Sequence, residues 1–258
     1  VRVRRFAVIG DPVGHSKSPV MHGAALAALG LPHTYVAVRA TAEELPRVIE
    51  KLRDGEFDGL NVTVPHKERV LALADELDAS ACVAGAANTL VRRDDGSIIA
   101  YNTDAPALAA ELVRLAGTSS WSGARALVIG SGGAARAAIT ALGVHLGITD
   151  IAVRARAFDD PARREAFTRT APQRVTLEPW SRSASGEAGT VLLVQATSAG
   201  MHGADAGEAV AEVVAWEALP AAAVTVDVVY APRDTPWLRA ARRRGLRCDD
   251  GLGMLARQ

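Results

Sequence analysis

Two cysteines in 258 residues, Cys82 and Cys248, are too few and too far apart for a disulfide framework or a zinc site. They read as buried thiols acting as small hydrophobes. Net charge is lacking too. The 29 Lys and Arg balance 29 Asp and Glu, so no global field draws the chain to nucleic acid or a membrane, and a small-molecule enzyme is favoured over a polyanion binder. Apolar stretches break off well before the roughly 18 residues of a membrane span. The N-terminal residues carry neither an h-region nor a small-residue cleavage site. The expectation is a cytoplasmic protein with no metal, membrane or nucleic-acid partner, working as a monomer or homodimer. The length suits one large domain or two ordinary ones.

What is present centres on residues 125–141. Ala126 to Ile129 suits a buried parallel strand, and the alanine-rich run from Ala134 suits a helix. Between them, Gly130, Gly132 and Ala135 fit the G-x-G-x-x-G/A spacing. One glycine permits the tight turn, the next lets backbone approach a pyrophosphate, and the small third residue lets helix and strand pack closely. Free N–H groups at the helix start would face the phosphates. The next strand, Asp150 to Val153, runs into Arg154-Ala155-Arg156 without the carboxylate that would take a ribose 2′-hydroxyl. Arg156, with Arg154 as a possible helper, suits a 2′-phosphate and favours NADP over NAD. The plainer alternative is a solvated strand end partly neutralised by Asp159 and Asp160.

Upstream, a strand ending at Gly10 meets the polar loop Asp11 to Pro19, in which Ser16 and Ser18 serve either a polyhydroxylated ligand or helix capping. Tyr35 to Val38 is a strand, and Thr41 with Glu44 forms a capping-box pattern for a helix through Leu52. Leu60 to Val64 ends at Pro65-His66-Lys67-Glu68, where a helix through Leu73 is expected. Lys67 there opposes the helix dipole; it is either solvated surface or part of a site. A hairpin follows, turning at Asp94-Asp95-Gly96. Asn88 and Asp104 are turn-formers or face Lys67. Further expectations are a charged helix from Phe158 to Thr170, a flexible polar segment from Ser181 to Gly189, strands over 191–195 and 224–230, and a helix from Pro236 to Arg244. The alternation implies α/β architecture, with ligands beyond the carboxyl ends of the strands.

Gly10-Asp11-Pro12, His15-Ser16-Lys17-Ser18-Pro19 with His22, Asn61 to Lys67, Ala84 to Thr89, Asn102-Thr103-Asp104, the glycine turn at Gly130, and Asp250 to Leu255 with Gln258 together resemble the shikimate dehydrogenase family, in its order and across nearly the whole chain. The resemblance implies an N-terminal α/β substrate domain with a mostly parallel sheet over 1–104, completed by 235–258, a Rossmann-type NADP-binding domain over 105–234, and a cleft between them. It implies interconversion of 3-dehydroshikimate and shikimate, with Lys67 and Asp104 as the catalytic pair. Ser16, Ser18, Thr63, Asn88, Asp104, Tyr230 and Gln258 would hold the substrate. Gly130, Ser131, Gly132, Gly133, Ala134, Ala135, Ala155 and Arg156 would take NADP, with Thr197, Ser198, Val228 and Gly251 at its nicotinamide end.

The chain departs from the family at Gly23, Ala155 and Gln195, each where asparagine is usual, and at Ala105, where glycine is usual. Family members usually continue through a further helix past the position of Gln258. The alternatives are a quinate enzyme accepting NAD and a sensor that binds both ligands without turnover; the presence of Lys67 and Asp104 speaks against the sensor.

Overall fold

The computed structural model describes residues 2–181 and 184–258. The chain divides into two compact units that meet at Thr103 and Asp104. In the first, β1 (Arg5–Gly10), β2 (Thr34–Arg39) and β3 (Gly59–Val62) pair in parallel, and β4 (Glu76–Leu77), β5 (Thr89–Arg92) and β6 (Ile98–Tyr101) complete a mixed sheet of order β2-β1-β3-β5-β6-β4. The β5–β6 hairpin is antiparallel, and it turns the chain so that the start of β5 lies at the carboxyl end of β3.

Helix α1 (Ser18–Ala28) follows β1 with a proline in its first turn, where the missing N–H costs nothing. Helix α2 (Leu45–Arg53) buries Leu45, Val48, Ile49 and Leu52, an i, i+3, i+4, i+7 stripe, and leaves its charged face outside. That stripe meets Ala7, Ile9, Leu60, Val62 and Leu90 from the sheet. The capping box is made: Thr41 N–H donates to Glu44 Oε2 at 2.8 Å and Glu44 N–H to Thr41 Oγ1 at 3.3 Å. Helix α3 (Ala79–Ala84) is capped by Asp78, which accepts from Ser80 N–H, and stops at Gly85 in the left-handed region. Cys82 faces outward there and is exposed, against the expected burial, because Ala81 and Ala84 form the inward face. Cys248 is half-buried.

The second unit opens with α4 (Asp104–Ala116), then β7 (Arg125–Ile129), α5 (Gly133–Thr140), β8 (Asp150–Arg154), α6 (Pro161–Thr170), β9 (Thr176–Glu178), α7 (Ala184–Glu187) and β10 (Thr190–Gln195). It closes with α8 (Glu208–Glu212), β11 (Val224–Asp227), α9 (Pro236–Arg243), β12 (Arg247–Asp249) and α10 (Leu252–Arg257). The sheet is parallel throughout, of order β9-β8-β7-β10-β11-β12. This is the doubly wound dinucleotide-binding order, with its switch point between β7 and β10. Along β7, Ala126 and Val128 enter one core while Leu127 and Ile129 enter the other. Burial on both faces is why these strands read as continuous apolar runs.

Several elements depart from expectation. The helix expected at Lys67 is a 3₁₀ turn, Arg69–Leu73. The helix expected from Phe158 is a 3₁₀ turn, Arg156–Asp159, followed by α6, because Asp160 caps Ala162 N–H and Pro161 favours a fresh start. The strand expected to reach Tyr230 ends at Asp227. Within the polar segment from Ser181 to Gly189, Ala184–Glu187 is a helical turn, and residues 182–183 lie outside the described residues. Residues 235–258 pack within the second unit, α9 on β11 and β12, and α10 on α4. Among the described residues no helix is long and apolar enough to cross a membrane.

Arg154, at the end of β8, is buried. Its Nη1 donates to Glu187 Oε1 at 2.8 Å and Val213 O at 2.6 Å, and its Nη2 to Glu178 Oε2 at 2.5 Å. One guanidinium thus ties β8, β9 and α7 to the segment after α8. Replacing Arg154 with methionine strands the Glu187 carboxylate in the interior and is expected to cost about 3–5 kcal/mol. Urea denaturation checks this, and the double change Arg154→Met/Glu187→Leu should recover most of the loss.

Candidate active site

In the first unit the expected residues gather at the carboxyl ends of β1 and β3. Gly10 closes β1, and a Cβ there would stand 2.4 Å from Thr63 Cγ2, so glycine is what lets Thr63 cross the end of the strand. Thr63 N–H donates to Ile9 O and Asp11 N–H to Val64 O, both at 2.9 Å, binding the two loops together. Lys67 is half-buried, and its carbonyl accepts from Ala87 N–H at 2.7 Å. The next residue, Asn88, is buried; its Oδ1 accepts from Thr103 N–H and its Nδ2 donates to Thr103 Oγ1, each at 2.9 Å. Thr63, Lys67 and Asn88 therefore share one rigid strand-end frame. Ser18 is buried at the start of α1, and its N–H bonds Ser16 Oγ at 3.3 Å. Ser16 thus has a local capping contact, which leaves its hydroxyl further bonding capacity.

A polar chain missed as a site in the sequence runs behind this frame. Asn61 Nδ2 donates to Asn88 O and Thr89 Oγ1, and Asn61 Oδ1 accepts from Tyr35 Oη at 2.6 Å. Tyr35 stacks on His22, with ring centroids 4.2 Å apart, and burial lowers the pKa of that imidazole. The signal was an asparagine inside the otherwise apolar run Leu60-Asn61-Val62. Asn61, Thr89, Tyr35 and His22 also line a cavity of about 310 Å³ that extends to Phe6, Leu26 and Arg92.

In the second unit the glycine turn lies at the switch point. Gly130 has φ +123°, and a Cβ on it would press within 3.0 Å of Ala196 O and 3.1 Å of Thr197 Cγ2. Gly132 is extended and open where a Cβ would stand. Helix α5 has no side-chain cap and no acidic residue in its first turn, so the N–H groups of Gly133, Ala134 and Ala135 keep the positive end of the helix for an anion. Ser131 is half-exposed beside them, and Ala135 is fully buried against the core.

Beyond β8, Ala155 is buried and Arg156 points outward. Arg156 Nη1 lies 3.2 Å from Asp205 Oδ2, and its guanidinium lies 5.8 Å from the Trp180 ring centroid. Arg154 is not a second phosphate ligand, because the buried Glu187, the partly buried Glu178 and a carbonyl already hold it.

Thr197, Ser198, Val228 and Gly251 cluster at the ends of β10, β11 and β12. Thr197 N–H donates to Gln195 Oε1, Val228 N–H to Gln195 O, and Gly251 N–H to Val229 O. A Cβ on Gly251 would meet Val228 O at 2.2 Å. Tyr230 is half-buried just past β11. Asp104 is buried at the start of α4, and Gln258 Nε2 donates to its Oδ1 at 2.5 Å.

A family model for the shikimate dehydrogenase substrate binding domain matches residues 8–90. A shikimate dehydrogenase (NADP(+)) from Methylobacterium radiotolerans is 42% identical over 261 residues, which cover all of this chain and 89% of the relative. The chain belongs to the shikimate dehydrogenase family. Among solved structures, the shikimate 5-dehydrogenase of Thermus thermophilus, in complex with NADP(H) and shikimate, superposes with a TM-score of 0.79 at 35% identity, covering 98% of this chain and 89% of that one. The Aquifex aeolicus shikimate dehydrogenase gives 0.82 at 30% identity, covering 98% and 88%.

What seats Gln258 on Asp104 is a carboxylate lower on α4. Glu111 accepts from Arg257 Nε and, at 2.7 Å, from Arg114 Nε, and Gly253 packs against it without a side chain. Burial works to raise the Glu111 pKa, but the bonds from Arg257 and Arg114 outweigh it and hold the carboxyl below its usual range. A depressed folded-state pKa stabilises above the unfolded value and is lost as pH falls through the folded one. Glu111→Gln should therefore lower the thermal midpoint at neutral pH, and the gap to the parent should close as acid protonates Glu111. Melting curves from neutral pH into the acid range check this.

Proposed function

We propose that this chain is an NADP-dependent shikimate dehydrogenase, an oxidoreductase interconverting 3-dehydroshikimate and shikimate on the route to chorismate and the aromatic amino acids. The observation that carries this reading is the bonded strand-end frame from which Thr63, Lys67 and Asn88 rise: a hydroxyl, an amine and an amide gathered at one strand end suit a polyhydroxylated ring bearing a ketone.

The residues fit the cofactor. An uncapped helix start and an open Gly132 suit a pyrophosphate, and an outward arginine suits a 2′-phosphate. When bound, NADP supplies the hydride in one direction and accepts it in the other. As the ketone is reduced, negative charge builds on its oxygen, and Lys67 stands as the cation and proton donor for it. In reverse, a neutral Lys67 takes the hydroxyl proton. Asp104 orients Lys67 and shares the same substrate hydroxyl, with Gln258 donating to one of its carboxylate oxygens. Ser16, Ser18, Thr63, Asn88, Tyr230 and Gln258 hold the remaining hydroxyls and the carboxylate. The inferred partners are small molecules, in keeping with a balanced charge.

One observation favours a second reading, turnover of shikimate or quinate with NAD. Asp205 sits on Arg156 and reduces the positive charge offered to a 2′-phosphate. Initial rates with shikimate or quinate and NADP or NAD, in all four pairings, separate the two; shikimate with NADP should dominate. Asp205→Asn should lower the KM for NADP and leave that for NAD little changed.

Lys67→Ala should lower kcat by about a hundredfold or more, with the shikimate KM nearly unchanged. A loss confined to KM would remove Lys67 from the chemistry.

A further inference from the structure

A buried carboxylate, Asp227, stands behind the residues assigned to the nicotinamide end, and neither the family motifs nor the reaction accounts for it. Asp227 closes β11 and is fully buried, together with Gln195 and Thr235. Its Oδ1 accepts from Gln195 Nε2 at 3.1 Å and from Val229 N–H at 3.0 Å, while its Oδ2 accepts from Thr235 Oγ1 at 2.6 Å. Gln195 carries the connection onward, because its Nε2 also donates to Ala199 O at 3.1 Å and its Oε1 accepts Thr197 N–H at 2.5 Å. Thr235 in turn caps α9 through Leu238 N–H and fills the space beside Gly200, where a Cβ would lie 3.2 Å from its methyl group. Three segments, 195–200, 227–229 and the start of α9, are thus joined through one carboxyl group.

We propose that Asp227 is a positioning residue for the hydride-transfer step: through Gln195 and Val229 it sets the backbone of Thr197 and Val228 against the nicotinamide ring. This rests on the assignment of these residues to NADP made above. The need for such a device is geometric. Both segments are loops past strand ends, and a displacement of about 1 Å between reacting atoms can cost two orders of magnitude in rate. Past the ladder that pairs Gln195 with Asp227, the main chain ties the two through Val228 N–H to Gln195 O at 3.0 Å. The two side chains add the bonds that fix the loops' orientation.

The charged groups facing Asp227 from neighbouring segments are Asp250 and its partner Arg233, whose Nε lies 2.6 Å from Asp250 Oδ2. Burial raises the Asp227 pKa to about 7, with the Asp250 charge adding to the rise and the bonds from Thr235, Val229 and Gln195 opposing it. Both protonation states preserve the frame. Oδ1 accepts two bonds in either, and a proton on Oδ2 would be donated to Thr235 Oγ1, which can accept. An asparagine with its Oδ1 in the same place makes the same set.

The test uses two substitutions and two ligands. Dissociation constants are measured for NADPH, by its own fluorescence, and for adenosine 2′,5′-bisphosphate, which lacks the nicotinamide. Asp227→Ala is expected to weaken NADPH by about tenfold and lower kcat by at least as much while leaving the bisphosphate unchanged. Asp227→Asn should restore both to within about threefold. Gln195→Leu, a milder change, gives the same pattern should the alanine variant fail to fold. Equal losses for the two ligands, or a folded Asp227→Ala protein with normal NADPH affinity and kcat, overturns the proposal. Failure of the parent protein to bind NADPH overturns the cofactor assignment instead.

Thermal midpoints of the ligand-free proteins supply a further readout. A carboxyl whose folded pKa lies above its unfolded value destabilises the fold progressively as pH rises through that interval. Relative to Asp227→Asn, the parent should lose stability between about pH 4 and pH 7 and level off above it. A flat difference across that range would show that Asp227 ionises normally and that the asparagine variant is no mimic of its neutral form.

Discussion

A parallel sheet covered on both faces can meet a ligand only at the ends of its strands, and the second unit depends on that constraint. Side chains of β7 and β10 alternate between two apolar cores, so neither face has room for chemistry. The glycine turn, Thr197, Val228 and Gly251 consequently fall into one row along the carboxyl edge. The first unit reaches the same outcome with a mixed sheet. Its β5–β6 hairpin runs against β3, and that reversal places Asn88 at the edge where Thr63 and Lys67 emerge.

The second unit also buries charge in two ways that serve different ends. Arg154 meets two carboxylates and a carbonyl, so its desolvation is offset by direct pairing, and the cluster fastens β8, β9 and α7. Asp227 has neutral donors only, which orient it without neutralising it. A carboxyl so placed holds its proton to an unusually high pH. Its situation, directly behind loops rather than among helices, sets it apart from Arg154.

How much of this was legible in the sequence depended on whether the deciding contacts were local. The glycine spacing and the capping box of Thr41 and Glu44 are fixed by neighbours within a few residues, and each formed as read. The sequence reads Arg156 as the phosphate contact and Arg154, at the end of β8, as its helper. They differ because Glu178 and Glu187, remote in the chain, claim one, while Asp205 and Trp180 hold the other at the surface. Asn61 and Asp227 each interrupt an apolar run, a signal of a buried polar role. Their partners, Tyr35 and Thr235, come from other elements, and no periodicity in the sequence announces them.

Lys67 shows why such differences matter to function. At the start of a helix, its ammonium would have stood against the positive end of a dipole, and that unfavourable pairing hinted at a duty. The short 3₁₀ turn begins only at Arg69, so the dipole gives no account of this lysine. Its backbone is instead bonded to Ala87 across the sheet edge, next to an asparagine locked by Thr103. A sheet edge holds backbone position better than the frayed first turn of a short helix, and the proton donor proposed for the ketone oxygen must be in place before charge appears there. The same edge that gives Lys67 its neighbours therefore gives its backbone the fixed position that the proposed proton transfer needs.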